Sequence, residues 1–244
     1  NGLYVKNGHQ KIKEIVSDLL GDKYTSGKYN ETLSYIQGQT YIDPKEISTN
    51  WINLENGLLN PITQEFKEHS TEVFSLVRIP IKYDPKADCP TWKKELSEKL
   101  DEETLKTTQE FFGYCYLPGQ RYERAFLLYG PKRTMKSTTL YILEQLLGKE
   151  NYTSFTLQQL NQDDFVKAYL FGKIANICPD ITSRAIRETT AFLTITGGDP
   201  ITAGKKNQHY TTFYPDSKLI FSCNVIPATY NKNDAFYRRW ILLN

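Results

Sequence analysis

The stretch LLYGPKRTMKSTTL, residues 127–140, comes within one letter of a phosphate-binding loop. The pattern G-x-x-x-x-G-K-[ST] asks for glycine just before its lysine, where backbone amides close on an anion at the start of a helix. Gly130, Lys136 and Ser137 stand in register, but position 135 is Met, the single Met of the chain. The flanks suit the motif. AFLLY, residues 125–129, is a continuous apolar run, as in a strand buried on both faces. After the loop, Leu140, Leu143, Leu146 and Leu147 recur at helical spacing up to Gly148, a natural helix stop.

In that setting Gly130, Pro131, Lys132, Arg133, Thr134, Met135, Lys136, Ser137 and Thr138 form the expected cradle. Lys136 is placed to reach the β- and γ-phosphates of ATP, and Ser137 to hold Mg2+. Met135 has two ways to fit. It takes a negative φ with its side chain turned away, or it takes the glycine conformation at a strain of about 1–3 kcal/mol. The second weakens nucleotide binding without abolishing it. The plain alternative is a strand–turn–helix with a solvated lysine.

The rest of this half keeps a strand–helix rhythm, which argues for a mainly parallel α/β sheet. KIANIC, residues 173–178, reads as a second buried strand, and Asp180 follows it directly. Ligands bind at the carboxyl ends of such strands, so Asp180 is the candidate metal-binding and catalytic acid, with Ser137 as the other Mg2+ ligand; the plain alternative is a turn-forming Pro-Asp. Pro179 stands where a second acid could be. A helix is expected over residues 163–170 and another over 184–193. Gly197-Gly198-Asp199 leads into a hairpin between Ile201 and Phe213. Its tip carries Gly204, Lys205, Lys206, Asn207 and His209, suited to a phosphate backbone or, equally, to a solvated loop. KLIFSC, residues 218–223, is a third strand ending in Asn224, which could orient a water or start a turn. Arg238 and Arg239 open the last strand, residues 238–243. An arginine there can serve a neighbouring subunit's site, although such pairs are often surface features.

The first half reads differently. Ile12, Ile15, Val16, Leu19 and Leu20 mark a helix stopped by Gly21, and a shorter helix runs from Asn30 to near Gly38. Asn56-Gly57 signals a β-hairpin, FSLVRIPIKY (residues 74–83) reads as one or two strands broken by Pro80, and helices resume at a Thr91 cap and an Asp101 cap. Pro118-Gly119 marks the break. The expected division is therefore 1–117, a helical and β-hairpin region, and 118–244, the nucleotide-binding part.

Composition supports a folded, water-exposed protein: 39% hydrophobic, 24% charged, 13% aromatic over 244 residues. The net charge is +2, yet residues 116–244 hold 16 Lys and Arg against 10 Asp and Glu, which suits a polyanionic partner without requiring one. Cys89, Cys115, Cys178 and Cys223 are widely spaced, which argues against zinc and for a reducing, intracellular setting. No apolar run approaches the ~20 residues of a membrane span. The start at Asn1 and the closing apolar run suggest a piece of a longer polypeptide.

The motif order resembles the superfamily 3 helicases, in the branch of phage- and plasmid-encoded primase-helicases. The segments are YGPKRTMKST, KIANICPDI, TITGGDPITAGKK, FYPDSKLIFSCNVIP and DAFYRRWILLN, with NWINLENGLLN, IPIKYDPKADCPTW and FFGYCYLPG upstream. The resemblance implies a P-loop NTPase of AAA+-like fold: an ATP-driven, ring-forming DNA helicase, usually a hexamer, acting in the host cytoplasm on single-stranded or replication-origin DNA. It implies a fused or associated primase-polymerase and a collar or initiation module before residue 118. By position, Asp180 is then the Walker B acid, Asn224 the polar sensor, Lys206 with Lys205 the DNA contact, and Arg238 or Arg239 the finger. Two rivals stand beside it: a ring or scaffold that kept the fold and lost hydrolysis, and a small-molecule P-loop kinase.

Overall fold

A computed structural model describes residues 7–41, 50–181, 186–204, 210–230 and 233–244. The chain opens with a helical hairpin, α1 (Gly8–Leu20) and α2 (Ser26–Gln39). Gly21 closes α1 at φ +49, as its position in the sequence suggests. The second helix starts four residues before Asn30, because the Thr25 side chain accepts from the Lys28 amide, and Gly38 lies inside it. The hairpin is tied together by the Tyr29 hydroxyl, which donates to the His9 carbonyl at 3.3 Å.

Next comes a small antiparallel sheet, β1 (Ile52–Leu54), β2 (Gly57–Leu59) and β3 (Phe66–Lys67). Leu54 pairs with Gly57, so the turn is Glu55-Asn56 rather than Asn56-Gly57. Gly57 must be glycine: a Cβ there would stand 2.4 Å from the Lys67 carbonyl oxygen. FSLVRIPIKY forms no strand. It meets β1 only through an isolated bridge, Leu54 to Ile79, and two amide bonds, Ile79 to Asn53 and Glu55 to Ile81. Pro80 sits between those two points without an amide to donate, so the ladder cannot run on. Helices α3 (Pro90–Ser97) and α4 (Glu102–Tyr116) follow. Cys89, not Thr91, holds the N-cap position of the first, with no side-chain capping bond; Pro90 at the first helical position takes Thr91 inside the helix, and its missing N–H costs nothing there. The Asp101 carboxylate caps the second through the Thr104 amide at 2.8 Å.

The second half is α/β. Strand β4 (Ala125–Tyr129) leads to α5 (Lys136–Leu147), then β5 (Tyr152–Thr153), α6 (Leu157–Gln162), α7 (Asp164–Lys167) and β6 (Ala175–Cys178). After these come α8 (Thr190–Gly197), β7 (Ile201–Ala203), β8 (Thr211–Phe213), β9 (Lys218–Cys223), α9 (Asp234–Tyr237) and β10 (Trp240–Leu243). Three of these are shorter or shifted relative to expectation. The helix expected over 163–170 is α7 plus one 3-10 turn. The helix expected over 184–193 begins only at Thr190, since Ile186 is held in a bridge to Thr229. The last strand starts at Trp240 because Asn233 caps α9 just before it.

Five strands form one parallel sheet in the order β10-β4-β9-β6-β5. Alternation sorts its side chains to two faces. Phe126 and Leu128 join Leu140, Leu143 and Leu147 of α5 and Phe111 and Tyr114 of α4 on one face. Leu127 and Phe221 join Phe192 and Ile195 of α8 and Leu160 of α6 on the other. Each such buried side chain contributes about 1.5–3 kcal/mol. β1 rests on this body through Ile52, Leu54 and Ile79, packed on Tyr116 and Ile174.

The segment between α4 and β4 is held tightly. Lys218 is wholly buried, and its ammonium donates to the carbonyls of Leu117 (2.6 Å), Gly119 (2.5 Å) and Asp216 (3.1 Å). The Asp216 carboxylate accepts the Gly119 amide at 2.9 Å, and the Gln120 side chain donates to the Ser217 carbonyl at 2.9 Å.

Candidate functional site

The loop between β4 and α5 wraps around one lysine. The Lys136 ammonium donates to the carbonyls of Gly130 (2.7 Å) and Pro131 (2.8 Å) and to the Thr134 hydroxyl (3.2 Å). Gly130 sits at φ +145, and a Cβ on it would stand 3.2 Å from Asn244 Oδ1 and 3.3 Å from Thr134 Oγ1. Met135 takes the left-handed conformation, φ 63 and ψ 1, which is the strained of the two options open to it. Arg133 is left-handed too, at φ 71. No side chain caps α5, so the amides of its first turn meet no side-chain acceptor. Pro131, Lys132, Arg133, Thr134, Ser137 and Thr138 are exposed, while Met135 and Lys136 are half-buried.

Topology brings other groups to this end of the sheet. β9 lies between β4 and β6, with Tyr129 opposite Cys223 and Cys178 opposite Phe221. Because the strands are parallel, Gly130, Asp180 and Asn224 all leave from the same edge. Asp180 is left-handed, φ 59, a conformation that aspartate tolerates. Its amide donates to the Ser222 hydroxyl at 3.0 Å, and the Asn224 amide donates to its carboxylate at 3.4 Å. Burial pushes the Cys223 thiol up; Lys136 pulls it down and Asp180 adds to the rise, so both charges act on one point. The Cys178 thiol is likewise raised, by burial first and then by Asp180.

Two residues escaped the sequence reading. Ser222 is buried in β9 and anchors Asp180, and Asn244 follows β10 beside Gly130. Asn244 had a visible signal: like Asn224, it is a polar residue directly after an apolar run in a parallel strand. Ser222 had none, since a small polar residue inside a strand says nothing about its partner.

The arginine pair divides. Arg239 donates to the Leu193 carbonyl (2.6 Å) and the Thr196 hydroxyl (3.1 Å), and pairs with Glu123 at 3.0 Å, with 11% of its side chain exposed. Arg238 is exposed. Both precede β10, at the edge of the sheet opposite the loop. The Gly197-Gly198-Asp199 run closes α8 against this cluster: a Cβ on Gly197 would stand 3.4 Å from the Arg239 guanidinium, and Gly198 is the left-handed cap at φ 73. The hairpin is β7 paired with β8, Ile201 opposite Phe213. Its tip, with Lys205, Lys206, Asn207 and His209, lies outside the described residues.

Among the described residues no group of three His, Cys, Asp or Glu could hold a metal ion, and no helix is long and apolar enough to cross a membrane. The four cysteines are free thiols, and Cys115, Cys178 and Cys223 are buried.

Residues 128–239 match a family of unknown function (DUF5906), and residues 5–101 match a family described as D5 N terminal like. No curated protein matches the chain. An apo structure of the NrS-1 C-terminal region superposes with a TM-score of 0.55 at 17% identity, over 70% of this chain and 41% of that one. A second apo form of the region gives 0.51 at 18%, over 66% and 39%. A JCV helicase structure gives 0.41 at 14%, over 64% and 45%, too distant to carry weight. The chain therefore spans about two-fifths of the NrS-1 structures it matches. What it shares with them is the fold.

Proposed function

We propose that the chain is the ATP-driven part of a DNA replication helicase, and that residues 130–138 bind the triphosphate. One observation carries the reading: the Lys136 ammonium lies within a loop of carbonyls at an uncapped helix start, on the sheet edge that also presents Asp180 and Asn224. A lysine held by loop carbonyls can exchange those acceptors for phosphate oxygens without moving its backbone, and the first-turn amides supply the matching donors. The resemblance to superfamily 3 helicases, the D5-type match before residue 102 and the shared NrS-1 fold agree with it.

Each residue then has a task. Ser137 and Asp180 hold Mg2+, which supplies charge neutralisation on the phosphates. One carboxylate and one hydroxyl fit a metal that arrives with its nucleotide. Asp180 and Asn224 orient the attacking water. Of the two arginines, Arg238 is the finger for a neighbouring subunit, because Arg239 is bound inside its own chain. Residues before 118 form a collar or initiation module, Lys205 and Lys206 grip DNA, and the working form is a ring, usually a hexamer, with a fused or associated primase-polymerase in the cytoplasm.

The test is ATP turnover with and without single-stranded DNA. The wild type should turn over ATP faster with DNA, and Lys136→Ala should lose roughly 100-fold or more while keeping its circular dichroism spectrum. Full turnover in that variant removes the site. A second reading has its own support: left-handed Met135 and Pro179 suit a DNA-binding ring that no longer hydrolyses ATP. A wild type that binds DNA but shows no turnover under any condition favours it.

A further inference from the structure

A cavity of about 520 Å³ lies between the β1 region and the α/β body, at the sheet edge opposite the phosphate loop. Its walls come from chain segments far apart in sequence: 51–53 and 74–79 on one side, 171–174 and 213–216 on the other, and 116–120 between them. Six aromatic side chains line it: Trp51, Phe74, Tyr116, Phe171, Phe213 and Tyr214. Phe171 and Phe213 meet edge to face at 5.4 Å, and the Lys67 ammonium lies 4.1 Å over the Trp51 ring.

The polar content is small and specific. Asp216 lines the cavity, and one of its carboxylate oxygens accepts the Gly119 amide. Gln120 is used up by Tyr114 and Ser217. No lysine or arginine side chain lines the space among the described residues. The buried ammonium of Lys218, on the Asp216 carbonyl, offsets the carboxylate charge from behind the wall. A phosphate-bearing ligand would face a carboxylate with no cation among the described lining residues, so nucleotides and DNA backbone are disfavoured. An uncharged aromatic molecule meets stacking partners on several sides, and a donor group on it has Asp216 as acceptor. The volume falls in the range of small-molecule sites, about 300–1,000 Å³.

We infer that this cavity is a binding site for an uncharged, planar aromatic molecule carrying an N–H or O–H donor. Such a ligand touches both sides at once. It braces the β1 region against the base of the β7–β8 hairpin, whose second strand ends at Phe213 in the wall. The site is independent of the nucleotide reading, being built from other residues at the other edge of the sheet.

N-phenyl-1-naphthylamine is a suitable probe: planar, uncharged, with one N–H donor, brighter in apolar surroundings and an acceptor for tryptophan emission. Titration into the wild type should give saturable, one-to-one binding with energy transfer from tryptophan. Trp51→Ala removes one stacking wall and should weaken binding severalfold, read from the probe's own emission. Leu76→Trp fills the space and should lose binding. Asp216→Asn keeps the acceptor for Gly119 and should weaken binding about fivefold, the gap between a charged and a neutral hydrogen bond. If Leu76→Trp fails to fold, the Trp51→Ala and Asp216→Asn affinities still decide. Unsaturable partitioning, or an affinity unchanged in both Trp51→Ala and Asp216→Asn, overturns the proposal.

Discussion

At the residue scale, Met135 is the point where sequence and conformation disagree. The loop demands a left-handed residue at that place, and the chain supplies a side chain that dislikes it. Met135→Gly should therefore tighten nucleotide binding severalfold, read by titration with a fluorescent ATP analogue, with a stability change of about 1 kcal/mol or less. Lys218 is the other telling residue. Burial pulls its pKa down to about 8, while the charge of Asp216 acts upward. Between pH 8 and about 10.5 the unfolded lysine keeps its proton and the folded one gives it up, so this group makes the protein more stable as pH rises. Its neighbours Tyr114 and Cys115, both pushed up to about 12, stay neutral across that window. Denaturant titrations at pH 8 and pH 10 should show that gain in the wild type and lose it in Lys218→Met. An equal pH response in the two would contradict it.

At the element scale, legibility followed burial. β4, β6 and β9 are continuous apolar runs buried in a parallel sheet, and such runs announce themselves. α1, α4 and α5 carried stops or caps, Gly21, Asp101 and Gly148, that the chain uses. FSLVRIPIKY had the composition of a strand, but its fate depended on whether a partner could pair past Pro80, which is a tertiary fact. Short pieces such as β3, β5 and α9 are fixed by their surroundings and left no period to read. In the candidate site, the positions of Lys136 at the start of α5 and of Asp180 just past β6 could be read from motif and strand end, whereas the Ser222 hydroxyl meets the Asp180 amide only through the pairing of β6 with β9. Ser222→Ala frees the Asp180 amide and should lower ATP turnover severalfold at an unchanged KM, because its effect falls on the acid and not on the loop. Gly57→Ala should cost about 2 kcal/mol or more in unfolding free energy, since its Cβ would overlap the Lys67 carbonyl.

At the scale of the whole molecule, the parallel sheet separates two edges. Gly130, Asp180, Asn224 and Asn244 gather at one; Arg238, the Lys218 clasp and the aromatic cavity gather at the other. In the ring proposed above, one subunit's loop would face the opposite edge of the next. The separation of the edges was only half legible in the sequence, because the order β10-β4-β9-β6-β5 is set by packing rather than by spacing. Replacing Lys205 and Lys206 by Ala together should bring the ratio of ATP turnover with DNA to turnover without it towards one. Arg238→Ala should depress turnover in the assembled protein more than Arg239→Ala does at matched fold content, while Arg239→Ala should chiefly lower the melting temperature through its lost bonds to Leu193, Thr196 and Glu123. The most direct measurement is equilibrium binding of a fluorescent ATP analogue with Mg2+ to the wild type and to Lys136→Ala. The account expects saturable binding at one site per chain, lost in the variant while its melting curve stays cooperative. Equal affinity in the two proteins, or no saturable binding to the wild type, would contradict it.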